Sequence, residues 1–328
     1  MTTDRLRGES VLILGGLGFI GSNLAAACVS AGASVTLFDG LHAQSGGNPA
    51  NLDGLADQVR VVHDDIRNAD AVTEAVRGQA IVFNCAALTS HPGSMRDPLG
   101  SIDVNCRGLL TVLEAMRQVN ADAKFVQVGT STQVGRMLHE PIDEQHAEFP
   151  VDIYSANKSA GEKYTLIYGQ AYGLRTTVVR LANTYGPRAH IRTAQFGFIN
   201  HFVGLALQGK VLSVYGEGAQ RRNVSFVGDS VAAIIEAGTA DAANGEVFFA
   251  TADEQVTVRE VAQAIAQSMG GSVQHVPWPA DRAAIEIGDA VISNRKIRER
   301  LGWTPATSLA DGLALTRDYF ASRLEHYL

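Results

Sequence analysis

The chain has 328 residues, 46% of them hydrophobic, with 33 glycines and a mean hydropathy near zero, the make-up of a globular, enzyme-sized protein with one large domain, or one domain plus a smaller annex. Its formal net charge of −7 argues against a nucleic-acid partner, because such binders present basic faces. The longest apolar runs, VLIL and AIVF, fall far short of a membrane span, and the opening MTTDRLRGES has no apolar signal core, so the expectation is no membrane contact and a cytoplasmic location.

In chain order, short β-rich runs alternate with helix-period segments. The runs are VLIL (11–14), SVTLF (34–38), VRVV (59–62), AIVF (80–83), KFVQV (124–128) and TTVV (176–179). Continuous apolar runs of this kind suit a parallel sheet covered on both faces. Between them lie patterns such as Leu109, Val112, Leu113 and Met116, one face of a helix. The expected fold class is α/β, a doubly wound parallel sheet of Rossmann type. Past Pro187 the order is mixed: a helix over 194–208, VLSV, VSFV, a helix from Asp229, EVFF, and two helices flanking LGWTP. This predicts a smaller C-terminal lobe interwoven with the first. Cys28, Cys85 and Cys106 lack CxxC spacing and lie in apolar stretches, which predicts reduced thiols. The nine histidines show no metal-ligand spacing, so no metal site is expected. Arg188, Arg192, Lys210, Arg221 and Arg222 stand against Glu217 alone between 186 and 222. That is a candidate basic stretch for a phosphorylated ligand.

The first strand runs into GGLGFIG (15–21), where Gly16, Gly18 and Gly21 spell GxGxxG and Gly15, Gly18 and Gly21 spell GxxGxxG. A side chain there would block a dinucleotide diphosphate from the backbone N–H groups of the helix N-terminus. Asp39 ends the next strand, 18 residues beyond Gly21, where a carboxylate can accept from both ribose hydroxyls and repel a 2′-phosphate. The following GLHAQ has no arginine, so NAD is favoured over NADP. Asp65 and Ile66, after the third strand, could face the adenine amino group and ring.

Residues 154–158 read YSANK at the start of a helical segment, placing Tyr154 and Lys158 one turn apart. A phenol titrating near ~10 is a poor base at neutral pH. A neighbouring ammonium lowers that value, and the expectation is that Lys158 does so for Tyr154.

GGLGFIG, Asp39, the hydroxyl run GTST after the fifth strand, YSANK, RLANTYGP, RRNVSFVGD and the terminal RERLGWTP together resemble the extended short-chain dehydrogenase/reductase family, specifically its NAD-dependent nucleotide-sugar epimerases and dehydratases. The resemblance implies an NAD-binding domain over 1–185 with a return segment near 223–250, and a nucleotide-sugar-binding lobe over 186–222 and 251–328. It implies Tyr154 as the base, Thr130 as the group on the sugar's 4-hydroxyl, and Lys158 on the nicotinamide ribose. Phe19 and Ile20 would donate to the diphosphate, and Ala86, Ala87 and Asn105 would contact the cofactor. Asn183, Arg222 and Arg282 would hold the substrate's diphosphate and sugar, with Tyr215 at its base. It also implies a homodimer joined through helices near 98–119 and 153–172.

A 4,6-dehydratase of this family carries Asp-Glu after the threonine, and a decarboxylase a glutamate. Here those places hold Ser131 and Thr132, which lack the proton-transfer driving force of a carboxyl group. Inversion at carbon 4 through a transient ketone needs only Thr130, Tyr154, Lys158 and NAD. Ser131 and Thr132 remain candidates for substrate contact. Departures from the family pattern at Asn84, Leu88, Gln133 and Asn223 keep a 2-epimerase open. A dehydratase or reductase, and a non-catalytic NAD sensor, are the other readings.

Overall fold

The computed structural model describes residues 3–328. Among them a parallel sheet is built from strands β1 (Ser10–Leu14), β2 (Ser34–Phe38), β3 (Val59–Val62), β4 (Ile81–Asn84), β5 (Lys124–Thr130) and β6 (Arg175–Leu181). The six apolar runs of the sequence are these strands. A three-stranded and a two-stranded sheet take β7 (Asn183–Tyr185), β8 (Val211–Tyr215) and β9 (Arg221–Phe226). After β10 (Val247–Ala250) come β11 (Gln255–Thr257) and β12 (Ser272–Val276). The large sheet has the order β3-β2-β1-β4-β5-β6-β10, so EVFF returns to its edge. VSFV instead joins β7 and β11, and VLSV pairs with β12.

The alternation of side chains along β1 shows why its run is wholly apolar. Val11 and Ile13 enter one core with Leu24 and Cys28 of helix Phe19–Ser30 and Ile234 of helix Val227–Thr239. Leu12 and Leu14 enter the opposite core with Val72 of helix Ala69–Val76 and Leu109, Val112, Leu113 and Met116 of helix Leu109–Val119. A strand buried on both faces has no place for a polar side chain. Cys28 and Cys106 are buried, and all three thiols are free.

The second lobe has its own core, where Phe202 and Val203 meet Leu212, Val214, Val261, Ile265, Leu313 and Phe320. Its helix Val258–Met269 opens with a capping box between Thr257 and Glu260, a start signal legible in TVRE. Three arginines of the basic stretch are engaged within the chain in this structure. Arg221 pairs with Glu140 and Asp289, and Arg222 with Glu286. The Arg188 guanidinium lies 5.6 Å over the Tyr319 ring.

The C-terminal segment is clasped to the first lobe by Asp229. Its carboxylate accepts the N–H groups of Ala306 (3.1 Å) and Thr307 (3.0 Å), while its carbonyl accepts from the buried Trp303 indole (3.1 Å). Asp229→Ala leaves both N–H groups without that partner, and is expected to cost about 2 kcal/mol. Urea unfolding should show a lower midpoint at an unchanged slope.

Candidate active site

One cleft runs along the carboxyl ends of β1, β2, β4 and β5. Its walls include Gly15, Gly18, Phe19, Ile20 and Gly21, then Asp39, Asp65 and Ile66, then Ala86 and Ala87, then Thr130, Ser131, Thr132, Tyr154, Lys158 and Asn183. Most of the residues singled out from the sequence are thus brought together.

The glycine loop tells the two spellings apart. Gly15 has φ of 74°, and a Cβ on it would meet the Ala86 nitrogen at 2.7 Å; one on Gly21 would meet the Gly15 carbonyl at 2.2 Å. Gly16 instead packs on Leu37 and does not face the cleft, so the GxxGxxG frame is the one on the wall. Gly18 caps helix Phe19–Ser30 without a side-chain hydrogen bond. The first i→i−4 bond of that helix is Ser22 N–H to Gly18 carbonyl, which leaves the N–H groups of the preceding turn for an anion. A Cβ on Gly18 would meet protein only at 3.2 Å, so packing demands glycine there less than at Gly15 or Gly21. These features fit a dinucleotide diphosphate.

Asp39 is buried, and its carboxylate accepts the N–H groups of Leu17 (2.9 Å) and Leu41 (2.8 Å). Leu41 takes a left-handed φ of 45° to make this contact. A carboxylate has about four acceptor sites, so room remains for ribose hydroxyls. Among the described residues this wall bears Asp39, Asp64 and Asp65 and no arginine, unsuited to a 2′-phosphate. Asp65 is less free than its sequence position implies. Arg67 engages both of its oxygens (2.8 and 2.6 Å), and that hydrogen bond, against the cost of burial, holds the carboxyl below the usual range. Ile66 is buried beside Val104 in the core, with one face to the cleft.

Asn105 does not reach the cleft. It lies in a wide π-helical turn, Asp103–Gly108, and braces the loop after β4 from behind, accepting from Leu88 N–H (2.9 Å) and donating to Leu88 carbonyl (3.0 Å). Tyr215, Arg222 and Arg282 are also absent from this wall. They gather around residues 276–289: Tyr215 packs on Trp278 at 5.3 Å, and His201, lowered by burial, is lowered further by the charge of Arg282. Arg222 donates to Gly288 carbonyl (2.5 Å), Arg221 carbonyl (2.9 Å) and Glu286 (3.1 Å). Its fork is filled from within, because the return of the chain at 286–288 supplies acceptors that local sequence does not reveal.

Tyr154 and Lys158 sit in the first turns of helix Ile153–Tyr172, which is capped by Asp152 at its start and by Gly173 in the left-handed region at its end. The helix is fixed by a buried ion pair one turn beyond Lys158 on the same face, where Arg180 of β6 meets Glu162 (2.6 Å) and Glu148 (2.6 Å), and Gln133 bonds Glu162 (2.9 Å). The expected electrostatics are corrected here. Burial pushes the Tyr154 phenol above its usual value; a hydrogen bond with Thr130 acts against this, and Asp152 adds to it. The Lys158 amine donates to Val128 carbonyl at 2.5 Å, and burial brings it down to about 8. The two groups are adjacent as expected, but low dielectric disfavours both charges, so the protein alone does not make the phenol easy to ionise.

Sequence reasoning missed His91, Asp152 and Ser155. His91 lines the cleft, its ring lies edge-on to Tyr154 at 5.0 Å, and its Nδ1 is 2.8 Å from Asp152. The Ser155 hydroxyl contacts Asp152 and the Thr132 hydroxyl, each at 2.9 Å, and Thr132 is 3.1 Å from Thr130. The helix-cap pattern DIYS marks Asp152; nothing local to His91 marks that residue.

With this geometry in place, comparison with known proteins decides the family. Residues 11–249 match the NAD dependent epimerase/dehydratase family. The chain belongs to that family. It is 30% identical over 319 residues to a UDP-glucose 4-epimerase of Mycolicibacterium smegmatis, spanning 95% of this chain and 98% of that one. It is 31% identical over 324 residues to a dTDP-glucose 4,6-dehydratase of Streptomyces niveus, spanning 94% and 92%. The solved UDP-glucose 4-epimerase of Thermus thermophilus in complex with NAD superposes with a TM-score of 0.86 at 30% identity, over 96% and 99% of the two chains. The chain is thus of an NAD-dependent nucleotide-sugar enzyme family whose cofactor is NAD and whose fold is the Rossmann sheet. None of its helices, among the described residues, is long and apolar enough to cross a membrane.

Burial of Lys158, and of Lys124, also lowered to about 8, has a consequence for stability. At these two lysines the folded chain holds fewer protons than the unfolded one between pH 8 and the ordinary lysine value of 10.5, so their contribution to stability rises with pH across that window, while Cys28 and Cys85, pushed up to about 12 by burial, oppose it above the ordinary thiol value of 9.0. At about 1.4 kcal/mol per unit, Lys158 contributes on the order of 3 kcal/mol to the rise. Lys158→Met should remove roughly half of the lysine contribution, read as the difference between the variant's and the parent's urea-unfolding free energy growing from pH 8 to 10.5.

Proposed function

We propose that the chain is an NAD-dependent nucleotide-sugar 4-epimerase. The observation that carries this reading is the meeting of Thr130, Tyr154 and Lys158 in one cleft with a loop of hydroxyls, Ser131 and Thr132, where a carboxylate pair would favour elimination. When bound, NAD supplies the hydride acceptor and donor. In this reading Phe19 and Ile20 donate N–H groups to its diphosphate, Asp39 accepts from the adenosine ribose, and Asp65 and Ile66 flank the adenine. Ala86 and Ala87 line its path, and Lys158 reaches the nicotinamide ribose. Tyr154 takes the 4-hydroxyl proton and later returns it, while Thr130 holds that oxygen. To take that proton the phenol has to be ionised; burial opposes this, and the positive charge that a bound NAD would supply, together with the Lys158 ammonium, would favour the phenolate. Asn183 with Ser131 and Thr132 borders the sugar. Tyr215 and Arg282, with Arg222 once released from Glu286, receive the nucleotide end.

Incubation with UDP-glucose, dTDP-glucose, CDP-glucose and GDP-mannose tests this. A product of unchanged mass and new stereochemistry at carbon 4 is expected; loss of one water would sink the epimerase reading in favour of dehydration. Tyr154→Phe should reduce turnover by about a thousandfold with NAD still bound, and retained turnover would mean another base.

A homodimer is part of the same reading. Leu99 (75% exposed), Ile102, Ile167 and Tyr172 are apolar and open to solvent on the helices of residues 98–119 and 153–172, a patch suited to an isologous contact. Sedimentation should give twice the chain mass for the protein and a single chain mass for Ile167→Glu.

A further inference from the structure

We infer that His91, oriented by Asp152, is a second acid–base group of the cleft and exchanges a proton at the ring carbon next to the transient 4-ketone. This rests on the oxidation at carbon 4 proposed above and extends it. The case against chemistry at neighbouring carbons concerned the positions just after Thr130; His91 enters from a different segment, the start of helix His91–Arg96.

Three observations place it. Asp152 is buried, and although burial raises its carboxyl, the hydrogen bond from His91 and the two bonds from Ser155 act against this, and the carboxyl lies below the usual value. An ionised carboxylate only accepts, so the ring nitrogen 2.8 Å from its Oδ2 is Nδ1–H, and the lone pair of the neutral ring is on Nε2. With Nδ1 tied to a buried group and the side chain one third exposed on the cleft wall, Nε2 is the nitrogen left for a ligand. Finally, the imidazole stands 5.0 Å from the Tyr154 ring, so a base acting on O4 and one acting at an adjacent carbon can share a single sugar ring. Asp152 in turn is held by Ser155 N–H (2.9 Å) and the Ser155 hydroxyl (2.9 Å), which fixes the pair to the same helix that carries Tyr154 and Lys158. A carboxylate that orients an imidazole and supports its charged form is a recurrent arrangement for general base work.

The step is balanced without a further reactant. With the ketone formed, Nε2 takes the proton of the carbon bonded to C4; the C–H electron pair becomes the carbon–carbon double bond, and the carbonyl pair moves onto oxygen, where the Thr130 and protonated Tyr154 hydroxyls donate. The imidazolium then returns a proton to that carbon, and the ketone is restored at the same oxidation level.

The test is turnover in heavy water of whichever of the four nucleotide sugars is a substrate, with recovered sugar read by mass and by proton resonance. The expected result is one solvent deuterium at carbon 3 or 5. Return of hydride to carbon 4 places none there, so 4-epimerisation without deuterium overturns the inference and leaves the epimerase reading intact. In His91→Asn the ratio of deuterium uptake to hydride transfer should fall by about a hundredfold. Asp152→Asn, which retains a helix-capping side chain, should lower the same ratio at least about tenfold. Equal loss of both steps, or equal uptake by the variants, would assign His91 a structural role. Absence of any turnover with all four sugars would remove the proposal together with the reading it rests on.

Discussion

The structure depends on one crossing of backbones. At the carboxyl ends of β1 and β4 the chain passes so close to itself that Gly15 leaves no room for a Cβ against Ala86, and Gly21 none against Gly15. This is the point where the strand order reverses, β1 lying between β2 and β4, and an open parallel sheet splits its loops to either side there. The glycine turn, the loop of Ala86 and Ala87 and the N-terminus of helix Phe19–Ser30 converge on this gap. Widening the crossing would separate the cofactor wall from the sugar wall.

The sugar wall is held by polar groups buried behind it. Arg180, Glu162, Glu148 and Gln133 tie β6, the hydroxyl loop and helix Ile153–Tyr172 into one unit. Such a cluster is weak evidence of net stability, because desolvation offsets much of the attraction, but loss of one partner is costly. Its effect is geometric: Thr130 and Tyr154 come from different elements, and the cluster keeps those elements from sliding. The burial that makes the unit rigid also raises the phenol and lowers the amine. The phenol is held neutral, while an amine titrating at about 8 still carries its charge at pH 7, so ionisation of Tyr154 needs a further positive charge in the cleft.

The family shares an oxidation at carbon 4 and diverges in what surrounds it. In this chain the positions after Thr130 are hydroxyls, and besides Lys158 the titratable groups beside Tyr154 arrive from the loop after β4 and from the helix cap. Thr132 joins the two regions through Ser155. The hydroxyl run is therefore connected to a carboxylate in space, though none adjoins it in the chain.

Much of this was legible in the sequence, for physical reasons. Strands buried on both faces must be continuously apolar, so six of the seven strands of the large sheet were visible as runs, and EVFF as the seventh. Glycines confined by a backbone crossing, a tyrosine and a lysine one helical turn apart, and a carboxylate closing β2 follow from local geometry alone, and the cleft gathers them. The three-residue strands β7 and β11 were not visible, since three residues carry no period. The resemblance implied a cofactor contact for Asn105, which instead braces the loop after β4 from behind, because a motif does not say which side of a loop a side chain supports. The acceptors that engage Arg222, at 286–288, come from far along the chain and leave no local mark. The meeting of His91 with Asp152, and the balance of burial against charge at Tyr154 and Lys158, are properties of enclosure and long-range proximity, which only the tertiary structure decides.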